Sequence, residues 1–197
     1  MNGFERRKEA KKEQILEAAL TLFSKNGVQE TNIQDIAKKA NVSQVTIYNY
    51  FINKDKLIYE VANTFLEQQM QIFEQAILIE APFTEKIKSL MEQKLTFSST
   101  YSPDFIYLLV SDRKDIEELV TQYSNERSFP LLQQLIQEGR QSGFIDETLS
   151  DQSIFFYLNM FSNEIRKNPL LHTDPASLTK ITEEMLHLFF YGLIGKK

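Results

Sequence analysis

Residues 33–51 read I-Q-D-I-A-K-K-A-N-V-S-Q-V-T-I-Y-N-Y-F. Ile33, Ile36, Ala37 and Ala40 recur at three- and four-residue spacing and form the apolar side of a short helix. Thr31 or Asn32 can cap it, and Asp35 in its first turn suits the helix dipole. Asn41-Val42 makes a tight turn. Ser43 then caps a second short helix running to about Tyr50, anchored from behind by Val42, Ile47 and Phe51. Two short helices joined by such a turn have the geometry of a helix-turn-helix. A helix that enters the B-form major groove needs donors and acceptors early on its outer face. Ser43, Gln44, Thr46, Tyr48, Asn49 and Tyr50 supply them. A packed helical hairpin with no such role has the same spacing, so the pattern alone leaves both readings open.

Upstream, Ile15, Ala18, Ala19, Leu22 and Phe23 predict a helix over about Glu9 to Asn26, stopped by Gly27. Downstream, Asn53 or Lys54 opens a long helix to about Leu78. Pro82 interrupts the chain, and Thr84 is a candidate cap for a helix to about Ser99. Further helices are expected to begin near Pro103, Asp112, Ser150 and Asp174, where Asp174-Pro175 pairs a capping side chain with a proline at the first helical position. Gly139 and Gly143 close the segment before Phe144. No persuasive strand pattern occurs, so the expected fold is all-α with about nine helices. The expected division is a three-helix domain with the helix-turn-helix over 1–53 and a longer helical domain over 54–197.

The 197 residues contain no cysteine, which excludes disulfides and thiolate metal sites. Neither a secretory leader nor a stretch of membrane-spanning length is apparent, so a cytoplasmic protein, on the nucleoid when bound to DNA, is expected. The net charge of −5 is unevenly placed. Residues 1–58 hold ten Lys/Arg against seven Asp/Glu, and the remainder holds twelve against twenty. The basic end would meet DNA and the acidic body would face away from it.

The stretch from Ile15 to Leu57 resembles the TetR family of bacterial one-component regulators. The resemblance is carried by I-L-E-A-A-L-T-L-F-S-K-N-G at 15–27, T-N-I-Q-D-I-A-K-K-A at 31–40, N-V-S-Q-V-T-I-Y-N-Y-F at 41–51 and N-K-D-K-L at 53–57. It implies a DNA-binding regulator, by family habit a repressor, that binds a palindromic operator as a homodimer and is released by a small molecule. It implies phosphate contacts at Thr31, Tyr48, Tyr50 and Lys54, and base or backbone contacts at Ser43, Gln44, Val45 and Thr46. Gln44 and Asn49 are the candidates for base reading, because an amide can bond adenine N6 and N7 together. Two positions depart from the family pattern. Asn41 stands where the turn usually has glycine, and Asn is the least costly substitute if that residue is left-handed. Val45 stands where a small residue is usual and is proposed to touch a thymine methyl. The basic run Arg6, Arg7, Lys8, Lys11 and Lys12 is either an arm for DNA or a solvated helix end.

The resemblance also implies dimer contact through the last two helices. Ile154, Phe155, Leu158 and Phe161 in one, and Leu178, Ile181, Met185, Leu188 and Phe189 in the other, carry the expected apolar stripes. Phe65, Met70, Phe73, Phe105, Tyr107, Tyr123, Phe129 and Tyr157 are candidates to line a pocket for an apolar or amphipathic inducer. No cofactor, metal or membrane partner is expected. Two rival classes remain in view: a helical protein-interaction module and a helical-bundle enzyme. For the enzyme, Glu184 and His187 make half of a di-iron carboxylate signature, but Pro169 occupies the matching position before His172, so the second half is missing.

Overall fold

The computed structural model describes residues 2–111 and 113–167, and in the C-terminal stretch 180, 181, 183–185, 187 and 188; the side chains of 98, 99, 158 and 161–167 are not described. These residues form nine α-helices: α1 Gly3–Asn26, α2 Ile33–Lys39, α3 Gln44–Phe51, α4 Lys54–Leu78, α5 Phe83–Thr100, α6 Pro103–Val110, α7 Lys114–Tyr123, α8 Phe129–Gln141 and α9 Asp151–Lys167. The described positions between 180 and 188 are helical too, and the described residues contain no strand. The all-α expectation is met. The Asp112 and Asp174-Pro175 start signals lie outside the described residues.

Local chemistry accounts for most boundaries. α1 starts six residues before the expected Glu9, because Asn2 and Glu5 form a capping box. The Asn2 side chain accepts from the Phe4 and Glu5 amides at 3.0 and 2.9 Å, and Glu5 accepts from the Asn2 amide at 2.9 Å. Asn32, Ser43 and Asn53 cap α2, α3 and α4 by accepting from the Asp35, Thr46 and Lys56 amides. α5 departs from expectation: Pro82 is the residue before it, and no side chain caps it. Thr84 lies inside the first turn, where the proline's fixed φ already sets the entry.

The stretch expected as one helix up to Gly139 is α7 and α8 joined by a π turn, Ser124–Ser128. The Phe129 amide reaches back to the Ser124 carbonyl, five residues earlier. Pro130 follows at once; it has no N–H to donate and its ring crowds the preceding turn, so a wider turn accommodates it.

One continuous core runs from α1 to α7. Ile15, Ala19, Phe23, Ile36, Ile47 and Phe51 from the first three helices share it with Leu57, Val61 and Phe65 of α4, and with Phe105 and Ile116. Each large side chain buried there contributes about 1.5–3 kcal/mol of transfer free energy. α4 is the shared element. Arg113 at the head of α7 holds its first turn, through the Asp55 carbonyl at 3.1 Å and the Asp55 carboxylate at 3.2 Å. Further along, Arg127 of the π turn bridges Glu67 and Glu74, and Tyr123 shares its hydroxyl with Asn63 and Glu67.

Candidate nucleic-acid interface

The angle between α2 and α3 is fixed by the turn at Asn41. Its φ is +48°, in the left-handed region, as anticipated for an asparagine in a glycine position. The Val42 amide then bonds the Ala37 carbonyl at 3.0 Å, and Gln14 of α1 donates to the Ala40 carbonyl at 2.8 Å. α3 thus leaves the turn at an orientation set by α1 and α2 together.

α3 has a clear inside and outside. Ile47 and Phe51 are buried against α1, α2 and α4. Ser43, Gln44, Val45, Tyr48 and Asn49 are exposed, while Thr46 and Tyr50 are half-buried. Val45 is 67% exposed, so it is held out from the protein as a contact residue would be. The Ser43 hydroxyl both caps the helix and lies 2.9 Å from the Thr46 hydroxyl. The result is a rigid helix with amide and hydroxyl groups along its free side and an apolar back.

Two expected phosphate positions behave differently. Thr31 is a correction: it is 2% exposed, and its hydroxyl donates to the Gly27 carbonyl at 2.8 Å and weakly to Leu22 at 3.4 Å. Its side chain holds the α1–α2 loop and is not presented outward. Lys54 is half-buried, and its ammonium donates to the Val28 carbonyl at 2.9 Å, with two further N–H groups left for another acceptor.

A feature invisible to sequence reasoning ties this region to the rest of the protein. Ser102, the residue before α6, donates from its amide to the Ser24 carbonyl at 2.7 Å and from its hydroxyl to Phe23 at 3.3 Å. Asp104, in the first turn of α6, accepts from the Val28 and Gln29 amides. Gly27 sits between them with φ +88°. α6 therefore caps the end of α1 and grips the loop leading to α2. No periodicity signals such a contact between residues more than seventy positions apart.

The N-terminal basic run is part of the α1 helix rather than a loose arm. Arg6, Arg7 and Lys8 are exposed on it, Lys11 donates to Gln14, and Lys12 pairs with Glu60 of α4 at 3.2 Å. Burial alone would raise the Glu60 carboxyl, but hydrogen bonds and charge from Lys56 and Lys12 outweigh it and hold it below its ordinary value.

The sequence profile described as "Bacterial regulatory proteins, tetR family" matches residues 15–61, which span α1 from Ile15 through the first turns of α4. Residues 15–61 therefore match the DNA-binding segment of the tetR family, and the chain as a whole is similar to transcriptional regulators. Some regulator relatives align well beyond that segment, others over little more than it. The "Fatty acid metabolism regulator protein" of Bacillus subtilis is 28% identical over 97% of this chain and 100% of its own length. The regulator LuxR of Vibrio harveyi is 38% identical over 29% of this chain and 28% of its own. Among solved structures, FadR of Bacillus halodurans superposes with a TM-score of 0.69 at 19% identity, covering 94% of this chain and 97% of that one. FadR of Bacillus subtilis in complex with stearoyl-CoA gives 0.66 at 20% identity, covering 92% and 98%. At such identities these likenesses establish the TetR-type fold. The matched relatives are described as transcriptional regulators, not enzymes.

The candidate ligand residues do not converge on one cavity. Phe65 and Phe105 are fully buried and pack edge to face at 5.0 Å, in a cluster completed by Phe97 and Tyr101, which the sequence reading missed. They are core side chains in this form of the regulator. Met70 is buried and accepts from the Ser128 hydroxyl, and Tyr123 is engaged by α4. Phe73 and Tyr157 are half-buried, and Tyr107 is exposed on α6. Phe129 stacks on Phe155 at 4.1 Å beside an open groove of about 450 Å³ between α8 and α9.

Two residues of the expected dimer stripes pack inside the protomer. Phe155 faces inward onto Phe129 of its own chain, and Ile181 packs against Ile106 with Phe97 and Tyr101. Both are occupied within the protomer. Ile154, Met185 and Leu188 are half-buried; the side chains of Leu158 and Phe161, and residues Leu178 and Phe189, lie outside the described residues. Among the described side chains of α9, the exposed large apolar ones are Phe156, 72% exposed, and Met160. A helix with apolar residues on two sides offers two readings of its inner face, and at Phe155 and Phe156 the inner one is Phe155. Glu184 of the half-motif lies 3.9 Å from Lys180, and no group of three metal-ligating side chains occurs among the described residues.

Proposed function

We propose that this regulator is a cytoplasmic repressor that binds a palindromic operator as a homodimer and is released by an acyl ligand, of which a long-chain acyl-CoA is the leading class. The observation that carries the DNA half is the free face of α3: Gln44, Val45, Tyr48 and Asn49 stand clear of the protein on a helix whose other side is locked into the core. In this reading Gln44 and Asn49 bond base edges, Val45 touches a thymine methyl, and Tyr48, Tyr50 and Lys54 set the register on phosphates. Ser43 and Thr46 meet the backbone or a base at the head of the helix.

One recognition helix reads one half-site. A dimer places two, and half-sites about 34–36 Å apart on one face of the duplex demand a fixed separation. The exposed Phe156 and Met160 of α9, next to half-exposed Phe129 of α8, suit a second copy of the chain. On this account residues 1–53 read DNA and 54–197 bind ligand and partner.

The acyl class is supported by kinship and by composition. The Bacillus subtilis relative aligned over nearly the whole chain is named for fatty acid metabolism. Two FadR proteins of the same fold are described in complex with stearoyl-CoA and lauroyl-CoA. The aromatic cluster of Phe65, Phe97, Tyr101 and Phe105 gives this chain an apolar interior against α4, which an acyl chain would reshape. A ligand that prefers the non-binding spacing of the two α3 helices shifts the dimer off DNA by its differential affinity.

The test is selection of bound fragments from a genomic library, followed by mobility shifts on the winner with and without lauroyl-CoA. The reading predicts a palindrome, retained less well as salt rises, lost with Tyr48→Ala and released by lauroyl-CoA. Enrichment of no sequence at low salt refutes it.

A further inference from the structure

α5 differs from the other core helices. Its apolar residues Ile87, Leu90, Met91, Leu95 and Phe97 are all only half-buried, whereas α4 alone buries eight side chains. The buried residue on α5 is a lysine: Lys86, 7% exposed, whose ammonium meets Glu138 of α8 at 2.7 Å. At 3.6 residues per turn, Lys94 falls in the middle of the face made by Ile87, Leu90, Met91, Phe97 and Tyr101. A lysine at the centre of an apolar stripe is out of place unless something meets its charge.

Nothing among the described residues does. Lys86 has its carboxylate, but none stands within ion-pair distance of Lys94. The side chain remains open to solvent, yet the protein around it desolvates the ammonium and lowers its pKa from the ordinary lysine value. Within a turn along the same face lies the cluster of Phe97, Tyr101, Phe65 and Phe105. A cation without a partner among the described residues therefore adjoins an apolar wall, the two halves of what an amphipathic anion requires.

We propose that the half-buried face of α5 is one wall of the ligand site, and that Lys94 supplies the charge that meets the anionic group of an acyl ligand. That group is a carboxylate or a phosphate attached to an apolar chain. The inference rests on the acyl-ligand reading above and adds the residue that recognises the head of the ligand.

The experiment is calorimetric titration of the full-length protein and its Lys94→Met and Lys94→Arg variants with lauroyl-CoA, laurate and dodecanol. Lys94→Met removes a desolvated charge from an apolar face, so it keeps its fold, which circular dichroism verifies. Expected is a loss of at least roughly tenfold in affinity for lauroyl-CoA or laurate in Lys94→Met, recovery to within about threefold in Lys94→Arg, and little change for dodecanol. Loss confined to laurate identifies a carboxylate head, and loss confined to lauroyl-CoA a phosphate. Wild-type affinity for both anions in Lys94→Met overturns the role of Lys94 while leaving the acyl reading standing. An equal loss for dodecanol also overturns it, because packing rather than charge would then be at work. Failure of the wild type to bind any of the three overturns both readings.

Discussion

Adding one methyl group at Gly27 should expose the coupling between α6 and the DNA-reading end. A Cβ on this residue would lie 2.7 Å from the Asp104 carboxylate oxygen and 3.0 Å from its Cβ, at a φ of +88°. The backbone conformation alone costs about 1–2 kcal/mol for a residue other than glycine. The clash also forces Asp104 off the Val28 and Gln29 amides, which removes charge-assisted hydrogen bonds worth about 1–2 kcal/mol net. Gly27→Ala should thus destabilise by about 2–4 kcal/mol, a drop in Tm of roughly 4–16 °C for a chain of this size. Asp104→Ala alone should cost about 1–2 kcal/mol, since it gives up the same bonds. In that background Gly27→Ala meets no side chain and should cost only its backbone strain. Urea unfolding of the two single variants and the double variant closes the cycle, and the predicted interaction is about 1–2 kcal/mol. Equal costs for Gly27→Ala with and without Asp104 would refute the claim that α6 grips this loop.

Other consequences follow from individual residues. Asn41→Gly should leave stability within about 0.5 kcal/mol, whereas Asn41→Val should cost about 1–2 kcal/mol, because a branched side chain resists φ +48° at a site too exposed to repay it by packing; thermal unfolding measures both. Glu138→Gln leaves the buried Lys86 ammonium without its carboxylate and should cost about 2 kcal/mol, whereas Lys86→Met, which removes the stranded charge itself, should cost less in the same denaturant titration. Hydrogen bonds from Arg127 and Arg113 hold the Glu67 and Asp115 carboxyls below their ordinary values. Such groups stabilise the fold fully above their unfolded pKa, about 4, and the contribution is lost as pH falls through the depressed folded values; Glu67→Gln should flatten the acid limb of a stability–pH profile. Val45→Ala should alter the rank order of operator variants that differ at a thymine, and an unchanged order in competition binding removes the methyl contact.

Local chemistry is what the sequence displays well. The three caps Asn32, Ser43 and Asn53, the left-handed Asn41 and the inward Ile47 and Phe51 each depend on residues within a few positions, and each appears where the pattern puts it. Long-range partners are another matter. Thr31 carries a hydroxyl suited to a phosphate, but only the fold shows that Gly27 and Leu22 already use it. Residue type alone does not separate the core cluster around Phe65 from the α8–α9 groove at Phe129. Phe155 and Phe156 are neighbours of equal hydrophobicity, and only the packing of Phe129 decides which one turns inward. A single lysine among apolar residues, such as Lys94, reads as a solvated side chain until the fold shows that no described carboxylate meets it.

Fluorescence anisotropy of the selected operator duplex, titrated with protein at two salt concentrations with and without lauroyl-CoA, tests the central claim most directly. The account predicts saturation at two chains per palindrome, weaker binding at the higher salt, and a rise in Kd when lauroyl-CoA is added. Saturation at one chain per site, or an affinity that lauroyl-CoA leaves untouched, contradicts it.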